Sequence, residues 1–426
     1  MSAVNGWKVC ELDELAHLDV ETLSAGTPKD FQFYYLDISS ASEGHLDLPS
    51  TEIQFREAPS RARKVVHRQD VLMSMVRPNL KAFAYFDHTD EPCVASTGFA
   101  VLTAKEHASA KFLLYAILSE NVSRQIDSLV IGSNYPAINS SAVRSLKIPT
   151  PPKPEQTKIA EILSTVDRAI EQTEALIAKQ QRLKTGLMQD LLTRGIDEHG
   201  KLRSEQTHPF KDSPLGRIPV EWEVKPIGQV FEIQLGKMLS QKAAEGISPF
   251  PYLGNKNVQW DRVEATGLQM MDFNGRERSK FELRPGDILV CEGGEVGRTC
   301  LWRGEVGNCY YQKAIHRLRP VNNEYLPELF PRFMRWGISR GILADFTSQT
   351  SIAHLTQEKL ATVPIIVPPI CDQILIVQSL DSLDAKLVNL DATLHKFRAL
   401  KTALMQDLLT GRKRVANLLD RKGASA

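Results

Sequence analysis

The sequence lacks the features that mark membrane, secreted or metal-binding proteins. It has no run of about 18 apolar residues, which a membrane-spanning helix needs. Its first residues, M-S-A-V-N-G-W-K-V-C-E-L-D-E-L, contain no apolar stretch typical of a signal peptide. The six cysteines include no C-x-x-C pair, and the ten histidines show no metal-ligand spacing. We therefore predict a cytoplasmic chain without a metal site, whose cysteines are reduced and mostly buried.

Known catalytic motifs are missing too. G-G-E-V-G at 293–297 lacks the lysine of a phosphate-binding loop, and no G-x-G-x-x-G opens a helix after a strand. Neither a G-x-S-x-G nucleophile elbow nor an N-P-P-F/Y methyltransferase tetrad occurs. Asp70 and Asp287 occupy equivalent positions in the two halves, and we interpret both as turn residues that precede a strand. We expect no catalytic residue and no cofactor-binding residue in this chain.

Positive and negative charges are nearly equal, with 52 Lys and Arg against 51 Asp and Glu. This balance excludes a protein that binds nucleic acid through bulk charge alone, although a basic groove can be offset by acidic helices elsewhere. The length of 426 residues predicts two or three domains.

The main positive feature is an internal duplication. K-T-G-L-M-Q-D-L-L-T at 184–193 recurs as K-T-A-L-M-Q-D-L-L-T at 401–410, an offset of 217 residues. With this offset, the 46 residues from 148 to 193 have 19 identities with their counterparts and no gap. Upstream the identity is low, although Trp7 still pairs with Trp222. The chain therefore consists of two halves, each a diverged globular part followed by a closely similar tail.

Each tail has the pattern of a long helix. Proline pairs at 151–152 and 368–369 mark the helix starts, and Glu155 or Asp372 places a carboxylate in the first turn. Alternating steps of four and three give a mostly apolar seam over five heptads. The pattern predicts two helices of about 60 Å packed antiparallel as a rod; the alternative is two amphipathic helices that each pack on their own domain. The predicted helix–helix seam is formed by Ile159, Leu163, Val166, Ile170, Ile177, Leu187, Leu191, Ile376, Leu380, Leu383, Leu387, Leu394, Leu404 and Leu408.

The globular parts combine short alternating strands, Gly-rich turns and helical spacing at 108–126 and 325–343. We predict an α+β fold with two mixed α/β domains, separated by two long antiparallel helices and related by an internal pseudo-two-fold repeat. The predicted segments are a first domain at 1–150, a first helix at 151–194, a polar linker at 195–213, a second domain at 214–367, and a second helix with its tail at 368–426.

This organisation resembles the specificity subunit of Type I restriction–modification enzymes. P-P-x-x-E-Q-x-x-I starts the first helix, and L-M-Q-D-L-L-T ends both helices. P-L-G-R-I-P-V-E-W at 214–222 is similar to the usual start of that family's second target-recognition domain, and R-P-G-D-I-L and Y-L-G-N-K-N-V fit as well. The second helix departs from the pattern, because P-P-I-C-D-Q replaces P-P-x-x-E-Q.

The resemblance implies that each globular part is a target-recognition domain reading one half of a split double-stranded DNA site. The helices would dock two modification subunits that hold S-adenosylmethionine. Restriction subunits, which use ATP and Mg, would join them. The chain itself would be a non-catalytic recognition subunit with no membrane partner. Two alternatives stay open: a coiled-coil adaptor that binds protein without binding DNA, and an enzyme that acts on nucleic acid by itself.

DNA contacts need Lys or Arg for phosphates and Arg, Lys, Asn or Gln for base edges. In the first half, the densest basic stretch is S-R-A-R-K-V-V-H-R at 60–68; in the second half, the candidates lie in loops and a polar turn. We interpret the basic tail at Arg412–Arg414 and Arg421–Lys422 as a helix C-terminal cap. The candidate DNA contacts are Lys29, Arg61, Arg63, Lys64, Arg68, Lys237, Lys242, Asn255, Lys256, Asn257, Arg298 and Lys313.

Overall fold

A computed structural model describes the chain at residues 6–88, 91–132, 136–240, 246, 248–346 and 354–419. The chain divides into two compact units, one formed by residues 1–175 with 391–426 and the other by residues 176–390. Each unit therefore combines one globular part with helical segments from both halves of the sequence.

The first half of the chain forms short strands and helices that lead into one long helix. Its elements are β1 Lys8–Glu11, α1 Leu12–Leu15, β2 Ala16–Leu18, β3 Gln32–Leu36, β4 Ala41–Ser42, β5 His45–Leu46, β6 Ile53–Gln54, β7 Ala62–Val66, β8 Val71–Ser74, β9 Phe83–Tyr85, β10 Cys93–Ser96, β11 Phe99–Ala104, α2 Ala110–Leu118, α3 Glu120–Leu129, α4 Ser140–Arg144, β12 Lys147–Thr150 and α5 Lys153–Thr193. The predicted single helix at 108–126 is two helices, because Ser119 adopts an extended conformation and caps α3 through Val122 N–H.

The second half repeats this plan. Its elements are β13 Phe210–Lys211, β14 Ile218–Pro219, β15 Glu223–Pro226, α6 Ile227–Val230, β16 Phe231–Leu235, β17 Pro249–Leu253, β18 Val258–Gln259, β19 Arg262–Val263, β20 Gln269–Asp272, α7 Gly275–Phe281, β21 Ile288–Cys291, β22 Thr299–Leu301, β23 Tyr310–Tyr311, β24 Ile315–Pro320, α8 Leu329–Ser339, α9 Gln357–Thr362, β25 Pro364–Val367 and α10 Ile370–Leu408.

The sheets show the duplication more clearly than the upstream sequence does. An antiparallel sheet in the order β2-β11-β8-β9 corresponds to one in the order β16-β24-β21-β22. The parallel pair β3–β10 corresponds to the parallel pair β17–β23. The antiparallel pair β1–β12, which leads into α5, corresponds to β15–β25, which leads into α10. The predicted mixed α/β repeat is therefore present at the level of topology.

The hydrophobic core of each unit contains the end of one long helix and the start of the other. In the first unit, Leu163 near the start of α5 and Leu408 at the end of α10 belong to the same core as Phe112. In the second unit, Leu191 near the end of α5 and Leu380 near the start of α10 share a core with Trp222. Burying these apolar side chains is the main stabilising term for each unit.

Candidate nucleic-acid interface

Three backbone segments of the second globular part converge around β17 and β23. The backbone N–H of Lys313 donates to the Lys237 carbonyl at 2.8 Å, and the N–H of Gln312 donates to the Leu253 carbonyl at 3.0 Å. The close approach depends on Gly236, since a Cβ there would lie 2.3 Å from the Gln312 carbonyl oxygen. The predicted residues Lys237 and Lys313, 76 positions apart in sequence, are thus neighbours.

A fourth segment joins this cluster through an asparagine and an arginine. The Asn255 side-chain amide donates to the Gly293 carbonyl at 2.8 Å, and Arg298 Nη2 donates to the Asn255 carbonyl at 2.8 Å. We call residues 236–238, 253–257, 292–298 and 311–314 the loop cluster. It contains all the candidate DNA contacts of the second half except Lys242, which lies outside the described residues.

Only part of the loop cluster presents free charge to solvent. Lys256 and Lys313 are exposed. Lys237 Nζ instead donates to the Asp272 carbonyl at 2.6 Å and lies 2.7 Å from a carboxylate oxygen of Glu277.

Two further candidates in the loop cluster form internal contacts. The Arg298 side chain is only 13% exposed and forms an ion pair with Glu295. Asn257 is buried, where its carbonyl oxygen accepts from Gly254 N–H and its amide donates to the Glu264 carbonyl. These two side chains, together with Lys237, hold the loops in place and leave Lys256 and Lys313 as the accessible cations.

A cysteine packs beneath the loop cluster. Cys291 Sγ lies 3.9 Å from the Asn255 carbonyl oxygen, and burial raises the pKa of its thiol to about 11. The thiol is therefore neutral at pH 7 and has little nucleophilic character. All six cysteines are free thiols, four of them buried, while Cys371 is exposed.

In the first globular part, two of the candidates lie beside the turn after β6. The Arg63 guanidinium stacks over the Phe55 ring at 5.0 Å, and the backbone N–H of Arg56 donates to the Lys29 carbonyl at 3.0 Å. Lys29 is exposed, and Arg63 is half-buried.

The other three candidates of the first half differ in exposure. Arg61 is exposed and donates to the Tyr35 hydroxyl at 3.2 Å. Arg68 is exposed, with a long contact of 3.4 Å to Asp87. Lys64 is buried, because its ammonium group bonds to Asp19 at 2.7 Å and to the carbonyl of Phe99.

The paired acids Asp70 and Asp287 have structural partners. Asp70 accepts from His67 N–H and from the Thr103 hydroxyl, in the turn that precedes β8. Burial raises the pKa of Asp70, although these hydrogen bonds oppose the shift. Asp287, in the turn before β21, binds Arg319 through two hydrogen bonds. The predicted turn position is confirmed for both residues.

The long helices are linked by ion pairs within each unit. In the first unit, Lys401 of α10 pairs with Asp167 of α5 at 2.7 Å, and Arg398 pairs with Glu174 at 2.6 Å. One residue number rises as the other falls, so these segments run antiparallel. In the second unit, Lys184 pairs with Asp384 at 2.5 Å.

The predicted seam lies on the covered side of both helices. None of its members is exposed, and those near the helix ends belong to the globular cores. The fully covered members are Ile159, Leu163, Val166, Ile177, Leu191, Ile376, Leu380 and Leu408. The half-buried members are Ile170, Leu187, Leu383, Leu387, Leu394 and Leu404.

One interpretation of the basic tail is wrong. Arg414 does not cap α10; its guanidinium binds the carboxylate of Glu155, in the first turn of α5, through two contacts of 2.8 Å. The local pattern could not reveal this, because the partner lies 259 residues away. Arg421 and Lys422 lie outside the described residues.

Two further features limit the chemistry of the described part of the chain. Across these residues, no helix combines the length and hydropathy needed to cross a bilayer. The same ranges contain no group of three or more His, Cys, Asp or Glu side chains placed to bind a metal ion.

Two α/β modules with one sheet plan, exposed cations on their loops and long helices paired by ion bridges define a duplicated binding protein. A sequence model described as "Type I restriction modification DNA specificity domain" matches this chain twice, at residues 5–180 and 219–396. The chain belongs to this family of DNA specificity proteins, as the resemblance predicted.

Individual relatives agree over most of the chain. The putative type I restriction enzyme MjaX specificity subunit of Methanocaldococcus jannaschii is 25% identical over 438 residues, covering 96% of this chain and 94% of that protein. The EcoKI specificity subunit of Escherichia coli K12 is 22% identical and covers 80% of this chain and 73% of its own length.

Solved structures share the fold. The HsdS subunit from Thermoanaerobacter tengcongensis aligns with a TM-score of 0.52 at 22% identity, over 96% of this chain and 98% of that chain. A chain from a study of complex assembly in the type I R-M system aligns with a TM-score of 0.62 at 23% identity, over 96% of this chain and 99% of that chain. The α+β architecture with a duplicated module is thereby confirmed.

Proposed function

We propose that this chain is the sequence-specificity subunit of a Type I restriction–modification complex, in which each globular part reads one half of a bipartite duplex DNA site. The observation that carries the proposal is the double match of the DNA specificity domain, combined with globular parts that diverged while the helices stayed alike. Two different reading surfaces on equivalent supports suit two different half-sites. Because the target is duplex DNA, the chain would act in the cytoplasm, where that DNA lies.

The same duplication supports two equivalent docking sites for two modification subunits, with restriction subunits completing the complex. A repeated chain can offer the same surface twice, as the two subunits of a homodimer do. We assign S-adenosylmethionine, ATP and Mg to those partner subunits, and assign this chain the role of non-catalytic recognition subunit. No observation favours a coiled-coil adaptor without DNA binding.

Among the candidate contacts, exposure favours Lys29, Arg61 and Arg68 in the first half and Lys256 and Lys313 in the second. We propose these five as phosphate contacts. For a phosphate contact, the affinity should fall with salt, because cation binding releases counterions from DNA. Removing one such contact should weaken binding and reduce the salt slope by about one.

The first experiment is methylation mapping of host DNA with and without this chain, which identifies the target site. A duplex carrying that site then tests K256A/K313A against K386A, an exposed lysine on α10 outside the loop cluster. We expect a reduced salt slope for the double variant and an unchanged slope for K386A. Salt-independent binding by the unmodified chain would instead favour the protein adaptor.

Replacing residues 1–150 with the corresponding domain of another specificity subunit tests the modular part of the proposal. We expect one half of the methylated sequence to change and the other half to stay the same. A change in both halves, or in neither, would contradict the assignment of one half-site to each globular part.

A further inference from the structure

A buried tryptophan, carboxylate and arginine meet at the start of the first long helix. Trp7 Nε1 donates to Glu155 at 3.3 Å, and Arg414 binds the same carboxylate in bidentate fashion. The Arg414 guanidinium also lies 5.7 Å from the centre of the Trp7 ring, and Val415 N–H donates to Glu155 at 3.2 Å. The carboxylate is thus bound from two sides by segments that are far apart in sequence.

The second unit builds the same contact at the start of α10. Trp222 Nε1 donates to Asp372 at 2.7 Å, and Arg203 binds the two oxygens of that carboxylate at 2.5 and 3.0 Å. Both carboxylate side chains are almost fully covered, with 3% exposed for Glu155 and 5% for Asp372. Bidentate arginine pairs of this kind are strong and directional.

The two arginines are not counterparts in the repeat. The offset of 217 residues that aligns the helices places Arg203 opposite Asp420 and Arg414 opposite Asp197. Each arginine nevertheless follows a long helix and reaches the carboxylate at the start of the other long helix. Different sequence positions have therefore produced the same contact twice, which is evidence that the contact matters.

The contact fixes the point at which each globular part joins its helix. Trp7 directly precedes β1, which pairs with β12, the strand that leads into α5. Trp222 directly precedes β15, which pairs with β25, the strand that leads into α10. Without the arginine, a buried carboxylate would lose its only cationic partner at that junction, at a substantial desolvation cost.

We propose that Arg414 and Arg203 are positioning residues for DNA reading: each sets the orientation of one globular part on its helix, so that the C-terminal segment 411–419 governs the half-site read by residues 1–150, and the segment 194–204 governs the other. This proposal rests on the function proposed above. It assigns the last described part of the chain to the first half-site, which its place in the sequence does not suggest.

The test uses the full chain assembled with its modification subunits and duplexes that carry the mapped site. Methylation rates are compared for the correct site and for sites with one wrong base pair in either half. For R414A we expect discrimination to fall roughly tenfold in the half read by residues 1–150, the size of effect that a lost charge-assisted hydrogen bond carries. For R203A we expect the same loss in the other half only.

Two controls separate positioning from general stability. R412A removes an exposed arginine two residues from Arg414 and should leave discrimination unchanged in both halves. R414K and R203K keep the charge without the bidentate geometry and serve if an alanine variant fails to fold; each should lose discrimination in its own half by less than the alanine change. An equal loss in both halves, or full discrimination by folded lysine variants, would overturn the proposal. If the unmodified chain directs no methylation, the proposed function itself fails.

Discussion

Lys401 and Asp167 form an ion pair whose two members exchange roles between the halves of the chain. The offset of 217 residues converts Lys401 into Lys184 and Asp167 into Asp384, and those two residues form the corresponding pair in the second unit. Each copy of the helix therefore carries a lysine and an aspartate that meet the aspartate and lysine of the other copy. A single repeated sequence thus specifies both contacts.

The reciprocal pairs should contribute modestly to stability. The side chains of Lys401 and Asp167 are 23% and 25% exposed, and partly solvated ion pairs are typically worth up to about 1 kcal/mol. A double-mutant cycle with K401A and D167A, followed by urea unfolding, should give a coupling energy of about 0.2–1 kcal/mol. The control cycle K396A with D167A should show no coupling, since Lys396 is an exposed lysine of α10 with no contact to Asp167. Equal coupling in the two cycles would contradict a specific pair.

Substitutions along the seam should have graded effects. Leu380 is fully buried in the second core, so L380A should lower the free energy of unfolding by about 2–5 kcal/mol. Leu387 and Leu394 are half-buried, so L387A and L394A should each cost less. V388A serves as the control, because Val388 is 66% exposed and its loss should change stability by no more than about 0.5 kcal/mol. A large effect of V388A would show that a different helix face is covered.

Two glycines of α5 and its end should respond in opposite directions to alanine. Gly195 has a φ of +70°, and a Cβ there would lie 2.5 Å from the Trp222 ring, so G195A should destabilise the chain. Gly186 lies inside α5 with open space around it, and its repeat counterpart is Ala403. G186A should therefore raise stability by about 0.5–1 kcal/mol. Thermal unfolding of both variants checks the signs, and a stabilising G195A would refute the contact with Trp222.

The Asp372 contact should make stability depend on pH. Burial by itself raises the pKa of Asp372, but hydrogen bonds from Arg203 and Trp222 outweigh it and lower the pKa below its usual 3.8. Because the folded pKa is the lower one, the stabilisation is present above pH 3.8 and is lost as the pH falls through the lowered value.

The matching experiment compares urea unfolding of the unmodified chain and R203A at pH 7 and near the lower limit of folding. R203A should be clearly less stable at pH 7, and the difference should shrink as the pH decreases. Since the pKa of Glu155 is also lowered by Arg414 against the effect of burial, R414A should behave in the same way. A difference that stays constant with pH would mean that the carboxylates are not ionised partners.

Local patterns in the sequence accounted for the parts of this protein that depend on nearest neighbours. Heptad spacing and proline pairs indicated helices that the structure places at Lys153–Thr193 and Ile370–Leu408. Direct comparison of the halves revealed the duplication, and the position of Asp70 before a strand followed from its local context. Such features are visible because helix periodicity and turn chemistry act over a few residues.

Tertiary structure alone decided which distant segments share a unit and which cations face solvent. Lys64 and Asn257 looked like DNA contacts, yet long-range packing buries both, beside Asp19 in one case and Gly254 and Glu264 in the other. The position of Arg414 on Glu155 is likewise not encoded in any local pattern. The sequence by itself determined the repeat, the helices and their seam, because these depend on periodic local spacing. The reading surface and the arginine contacts were decided by the fold, because they need side chains brought together across more than a hundred residues.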